Sequence, residues 1–174
     1  MKASPRAKRV MLAIAAFLLF SVILCCCVML AASSENCTVI KDTRWATDTT
    51  PINLFYIGLK GVCSEEGKFQ LFEMHTDKDL ANCKGASEAA TTFTVLLFLC
   101  SISAFVMCLW RLGGNHTWWK VCIFVSLAGV LFDIIALGTF LGQCSSYHEN
   151  NLELSVGNDL GIYSIFALIA VSLL

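Results

Sequence analysis

The residues of this chain that could do chemistry are ten cysteines, three histidines and one aspartate set inside an apolar run. His75, His116 and His148 are scattered, and no H-E-x-x-H, G-x-S-x-G or phosphate-cradling glycine loop accompanies them. Carboxylates elsewhere are interspersed with lysines, the pattern of a solvated face rather than of a catalytic pair. The expectation is therefore a non-enzymatic protein without cofactor or metal. Cys25, Cys26 and Cys27 are consecutive, so on a helix they point around its axis instead of at one ion, and they read as small packing residues. Cys108 and Cys122 border a short polar connection, where packing is the favoured reading and palmitoylation the alternative.

Asp133 lies near the middle of an apolar run, where a lone carboxylate costs about 2.5–3.5 kcal/mol on insertion scales. Helical spacing aligns it with Ser126, Gly129 and Ala136, a small and polar stripe that lets another helix approach closely. Without a basic residue in the apolar runs to complete a relay, the expected role is structural: a hydrogen-bonded carboxyl holding helices together. A proton or ion path is the alternative.

Positioning these residues falls to four apolar blocks. The chain has 174 residues, 57% apolar and only 14% charged, with mean hydropathy +0.72. Soluble domains are about a quarter charged, so a soluble enzyme, a disordered regulator and a nucleic-acid-binding module are excluded. The first block, Val10–Ala32, has 23 residues without a charge, about 34 Å of helix against a hydrocarbon core of about 30 Å. Its basic start (Lys2, Arg6, Lys8, Arg9) would suit a signal peptide, but the apolar stretch exceeds a signal core of about 7–15 residues, so a retained helix is expected. The predicted organisation is an N-terminus over 1–9 and helices over 10–32, 86–112, 118–141 and 160–174. Loops over 33–85 and 142–159 and a turn over 113–117 connect them. The last segment is too short to cross. A missing end is expected rather than an earlier start, because Asn158 and Asp159 resist burial in lipid.

Charge sets the orientation. Four Lys/Arg and no acid precede the first helix, and Arg111 to Lys120 carries two bases and no acid. Gly142 to Asp159 carries Glu149, Glu153 and Asp159 without a base. The positive-inside rule places both termini and the middle turn in the cytoplasm and the two longer loops outside. Trp110, Trp118 and Trp119 then sit at headgroup level.

Within the first external loop, Cys37–Lys41, Ile52–Lys60 and Lys68–Met74 are rich in β-branched and aromatic residues and separated by turn-formers such as Gly61 and Gly67. They predict a small antiparallel sheet over the helix ends, with Phe55, Ile57 and Leu59 on one face. Cys37, Cys63, Cys83 and Cys144 fall in the oxidising space, where pairing is expected. Three connectivities are open; Cys63 with Cys83 and Cys37 with Cys144 is the expected one. Asn36-Cys37-Thr38 is an external glycosylation sequon, whereas Asn115-His116-Thr117 falls on the cytoplasmic side.

Asn53–Cys63 reads N-L-F-Y-I-G-L-K-G-V-C and is followed by Ala81-Asn82-Cys83 before the second helix and a lone Cys144 in the second loop. This resembles the amastin family of trypanosomatid surface proteins, within the wider claudin-like four-helix group. Leu54, Gly58, Lys60 and Cys63 match the amastin signature, while Asn53 replaces its opening Cys and Ile57 an aromatic residue. Trp45, Gly58-Leu59 and Cys63 echo the claudin version, with Lys60 in place of its second Trp. The likeness spans roughly residues 37 to 174.

The expected fold is an all-α membrane protein, a four-helix transmembrane bundle with a small extracellular sheet. The resemblance implies a plasma-membrane or endomembrane surface glycoprotein acting in surface organisation or cell and host contact. Gly58, Leu59 and Lys60 are the expected interaction residues. Partners would be membrane lipids and other membrane proteins, or further copies of the chain through the external loops, with no nucleic acid. An accessory subunit beside a channel, transporter or other membrane complex is the alternative, and a pore-former ranks behind it.

Overall fold

Where water is excluded, a backbone must pair its own N–H and C=O groups, so long charge-free runs build helices. The structure, a computed structural model, describes residues 5–49, 54–72, 78–113, 119–144 and 152–174. His75, His116, His148, Glu149, the Asn115 sequon and the expected 113–117 turn, apart from Gly113, lie outside the described residues.

In chain order the elements are α1 (Pro5–Ala31), α2 (Cys37–Thr43), β1 (Ala46–Thr49), β2 (Leu54–Ile57), β3 (Gly61–Ser64), β4 (Phe69–Leu71), α3 (Lys78–Leu112), α4 (Trp119–Cys144), β5 (Leu152–Leu154) and α5 (Val156–Leu173). Helices α1, α3, α4 and α5 are each long and apolar enough to cross a membrane. Adjacent pairs α1–α3, α3–α4, α4–α5 and α5–α1 close a ring. Small residues line its interior, among them Ala15, Ala90, Ala104, Gly129, Ala136 and Ala167, which lets backbones approach closely. Its outside is apolar too: Phe17, Phe124 and Phe166 are 69%, 72% and 68% exposed.

Helix α5 begins before Leu160, contrary to expectation. Asn158 is buried, but inside the protein: its amide Nδ2 donates to the Trp45 carbonyl. Asp159 stays exposed in the first helical turn, where the helix dipole favours an acid. Asn158 thus enters the interior with its amide donor bonded, though its Oδ1 has no hydrogen-bond partner in the described structure, and Asp159 stays outside.

Four strands of the segment between α1 and α3 and one from the segment between α4 and α5 form a single antiparallel sheet, ordered β4-β3-β2-β1-β5. Pairing runs Ala46↔Ile57 between β1 and β2, Tyr56↔Cys63 between β2 and β3, Val62↔Gln70 between β3 and β4, and Ala46↔Leu154 between β1 and β5. The runs at 52–60 and 68–74 contain strands, as their composition predicts. Cys37–Lys41 does not: it is helical. Asn36 caps this turn by accepting the Thr38 N–H at 3.0 Å, and Ile40 N–H bonds back to the Asn36 carbonyl. A cap outweighs the strand preference of Thr38, Val39 and Ile40 because it satisfies backbone donors directly.

Candidate interaction surface

The sheet is fixed to the bundle through Trp45, between α2 and β1. The indole is fully buried, its ring centre 5.0 Å from that of Phe140 on α4, and Nε1 donates to the Met29 carbonyl of α1 at 3.4 Å. The Trp45 backbone N–H donates to Ile57, and its carbonyl accepts from Ser155 N–H and from the Asn158 side chain. One residue thereby joins the sheet to α1, α4 and α5. The claudin echo at Trp45 was visible in the sequence, but its contacts were not. Asn158, expected to resist burial, carries no sign in the sequence of this attachment beyond being one of a polar pair opening an apolar run.

Two disulfides add covalent ties. Cys37 pairs with Cys63 and Cys83 with Cys144, at Cα separations of 5.6 and 5.0 Å. The four expected cysteines are the paired ones, but the partners differ from the expected Cys63–Cys83 and Cys37–Cys144. Helix formation explains the exchange. With 37–43 helical, Cys37 packs on the sheet beside Ile40, Tyr56 and Cys63. With α3 starting at Lys78, Cys83 belongs to a helix and meets the last residue of α4.

Of the three expected interaction residues, Gly58 and Leu59 are buried and Lys60 is exposed. Leu59 N–H donates to the Ala32 carbonyl at 2.9 Å, and a Cβ on Gly58 would lie 2.6 Å from that same oxygen. The Gly-Leu pair therefore docks the β2–β3 hairpin on the end of α1. Lys60 edges an open cleft of about 230 Å³ between this hairpin, β4 and the start of α3. Its ammonium is 3.7 Å from Glu35, and across the cleft Lys84 is 3.9 Å from Glu88. Leu59 and Phe72 supply apolar walls, and the buried Ser87 hydroxyl lining the cleft has no hydrogen-bond partner in the described structure. Beside the sheet, Lys41 of α2 and Arg44 at its C-cap stand 5.5 and 5.3 Å from the ring centre of Tyr56 in β2, and Arg44 Nε donates to Thr47 Oγ1 at 2.8 Å. The surface thus offers cations on an aromatic plate and a charged cleft with apolar walls. Asn36 is exposed at its rim, with its carbonyl oxygen used in the α2 cap.

Inside the bundle, Ser126, Gly129, Asp133 and Ala136 are all buried, as one stripe of α4. Asp133 Oδ1 approaches Gly161 of α5, 3.2 Å from where a Cβ there would stand. Its Oδ2, like Ser126 Oγ, has no hydrogen-bond partner in the described structure, so the expected interhelical bond is not formed at that atom. Cys25 and Cys26 are buried and Cys27 is exposed, which is the divergence expected of consecutive helical positions. Among the described residues no cluster of three or more potential metal ligands occurs. Cys108 and Cys122 are both buried, with Sγ atoms 3.5 Å from the Leu12 carbonyl and 3.7 Å from the Ala104 carbonyl. They are packing residues and not open acylation sites. Comparison with protein-family models and with curated proteins finds no match to this chain.

Proposed function

We propose that this chain is a non-enzymatic multi-pass membrane protein of amastin-like type, within the claudin-like group, that presents a rigid extracellular sheet for surface organisation or cell contact. The observation carrying this reading is the sheet's construction. It draws strands from two separate inter-helix segments and is held to the bundle by Trp45, while Cys37–Cys63 ties α2 to β3 and Cys83–Cys144 ties α3 to α4 beneath it. Such bracing suits a surface that must keep its shape when engaged, because a preorganised binding face loses less entropy on association. The disulfides fit an oxidising compartment on the sheet side. The basic segments before α1 and between α3 and α4 fit a cytoplasmic opposite end, with both termini inside. The Lys41–Arg44–Tyr56 plate and the Lys60 cleft are the surfaces offered to a partner membrane protein or a second copy, and Asn36 is a glycan acceptor at their edge.

Crosslinking from cysteines introduced at Lys41 and Lys60 in intact membranes, followed by mass spectrometry, tests the reading. Adducts with surface proteins or with the chain itself, lost on reducing the disulfides, are expected. Stable recovery with one large membrane complex, crosslinked through the apolar helix faces, would instead support the accessory-subunit reading. Impermeant thiol labelling at Ser4→Cys in intact cells would overturn the orientation.

A further inference from the structure

At the end of the bundle away from the sheet, Arg111 closes the last turn of α3. Its guanidinium carbon stacks 3.6 Å above the Trp119 ring of α4. Nε and Nη1 are buried and have no hydrogen-bond partner in the described structure. Arg111 lines a recess of about 30 Å³ together with Leu12 and Ala15 of α1, Leu174 at the end of α5 and the exposed Lys8, and the Leu174 end makes no ion pair with it in the described structure. A guanidinium is always protonated, so Nε and Nη1 are donors of a permanent cation. The sequence offers it no carboxylate side chain: residues 1–34, 89–132 and 160–174 contain no Asp or Glu. Buried charge-bearing donors without an acceptor are costly, so an anion from outside the chain is called for. Position says which one. Arg111 lies where an apolar helix ends, and Trp110, 60% exposed beside it, suits headgroup level, where phosphate is the abundant anion.

We infer that Arg111, Lys8 and Trp119 form a headgroup site for the phosphate of an anionic membrane lipid. One phosphate oxygen enters the recess to accept from Arg111, the remaining oxygens stay at the mouth with Lys8, and Trp119 holds the guanidinium plane in place. The planar fork and the stacking surface favour arginine over lysine in this role. The site rests on the helices crossing a bilayer, and on nothing about the sheet or its partners.

The full chain, reconstituted in phosphatidylcholine nanodiscs with or without phosphatidylinositol 4-phosphate and released for native mass spectrometry, tests the site. One retained phosphoinositide per chain is expected. Arg111→Gln should lower retention about tenfold, Arg111→Lys by less, and the exposed Lys8→Gln, which leaves packing untouched, about fivefold. Equal retention by wild type and both glutamine variants would overturn the inference, as would equal retention of phosphatidylcholine. Displacement of the lipid by 10 mM inorganic phosphate would assign the site to the free anion and overturn the lipid source. Failure of the chain to enter nanodiscs at all would overturn the membrane reading itself.

Discussion

Replacing Gly157 by Ala should loosen the attachment of the sheet to the bundle. A Cβ there would stand 2.6 Å from Trp45 Cδ1 and 2.9 Å from Cγ and Nε1. Carbon contacts are optimal at about 3.5–4.0 Å, so the overlap is about 1 Å. The indole cannot swing clear: it is fully buried, with Phe140 on one side and Met29 O on its nitrogen. Overpacking of this kind costs about 1–3 kcal/mol, and a locked ring puts this case near about 3. Removing a helical glycine returns at most about 1 kcal/mol, leaving a net loss of about 2. For a chain of 174 residues that corresponds to a Tm lower by about 4–8 °C. The assay is thermal unfolding in detergent, followed by tryptophan fluorescence, with Gly138→Ala as control. No atom lies within 4 Å of a Cβ at Gly138, so its Tm should hold or rise. Trp45→Phe should relieve the clash, so the double variant is less damaged than the two losses added together, by about 0.5–3 kcal/mol. Additive losses, or an unchanged Tm in Gly157→Ala, would refute the close packing of Trp45 on α5.

Non-reducing peptide mapping should join Cys37 to Cys63 and Cys83 to Cys144; a Cys63–Cys83 peptide would contradict the fold of 37–43 as a helix. Sequence separations of 26 and 61 give loop-closure contributions of about 3.5 and about 4.3 kcal/mol, so Cys83→Ser should destabilise more than Cys37→Ser. Within each pair the double variant should add little to either single one. Because Asp133 Oδ2 has no partner, Asp133→Asn should keep or raise Tm, since a neutral amide of the same size is easier to bury; a loss above about 1 kcal/mol would show that the carboxylate is bonded in the folded protein. Asn158→Leu should cost about 0.5–1.5 kcal/mol, because the Trp45 carbonyl loses one of two donors and keeps Ser155 N–H, and an unchanged Tm would remove Asn158 from the sheet's attachment.

Four apolar helices were legible in the sequence because each is decided locally: about twenty residues without charge leave the backbone no partner but itself. The strands at 54–57 and 69–71 were legible for a similar reason, as β-branched and aromatic runs, whereas Gly61–Ser64, read as a turn at Gly61, became a strand only by pairing between β2 and β4. The stripe of Ser126, Gly129, Asp133 and Ala136 followed from helical periodicity alone. What periodicity could not supply was any relation between distant segments. The pairing of Cys37 with Cys63 depended on one Asn36 cap turning a strand-like run into a helix. Cys83 found Cys144 because α3 starts early enough to carry it to the top of α4. Leu152–Leu154 is too short to declare itself a strand until β1 offers its edge. Asn158 looked unfit for burial because its partner, a carbonyl 113 residues earlier in the chain, exists only in the fold. Gly58 and Leu59, expected at an interface, proved to be the joint between hairpin and α1. Arg111 read as one more basic residue at a helix end until the packing of Trp119 and the recess beside Lys8 left two of its donors buried and unanswered. Local patterns fix the elements, because their hydrogen bonds close within a few residues. The site belongs to the tertiary structure, because each of its contacts joins segments that no periodicity relates.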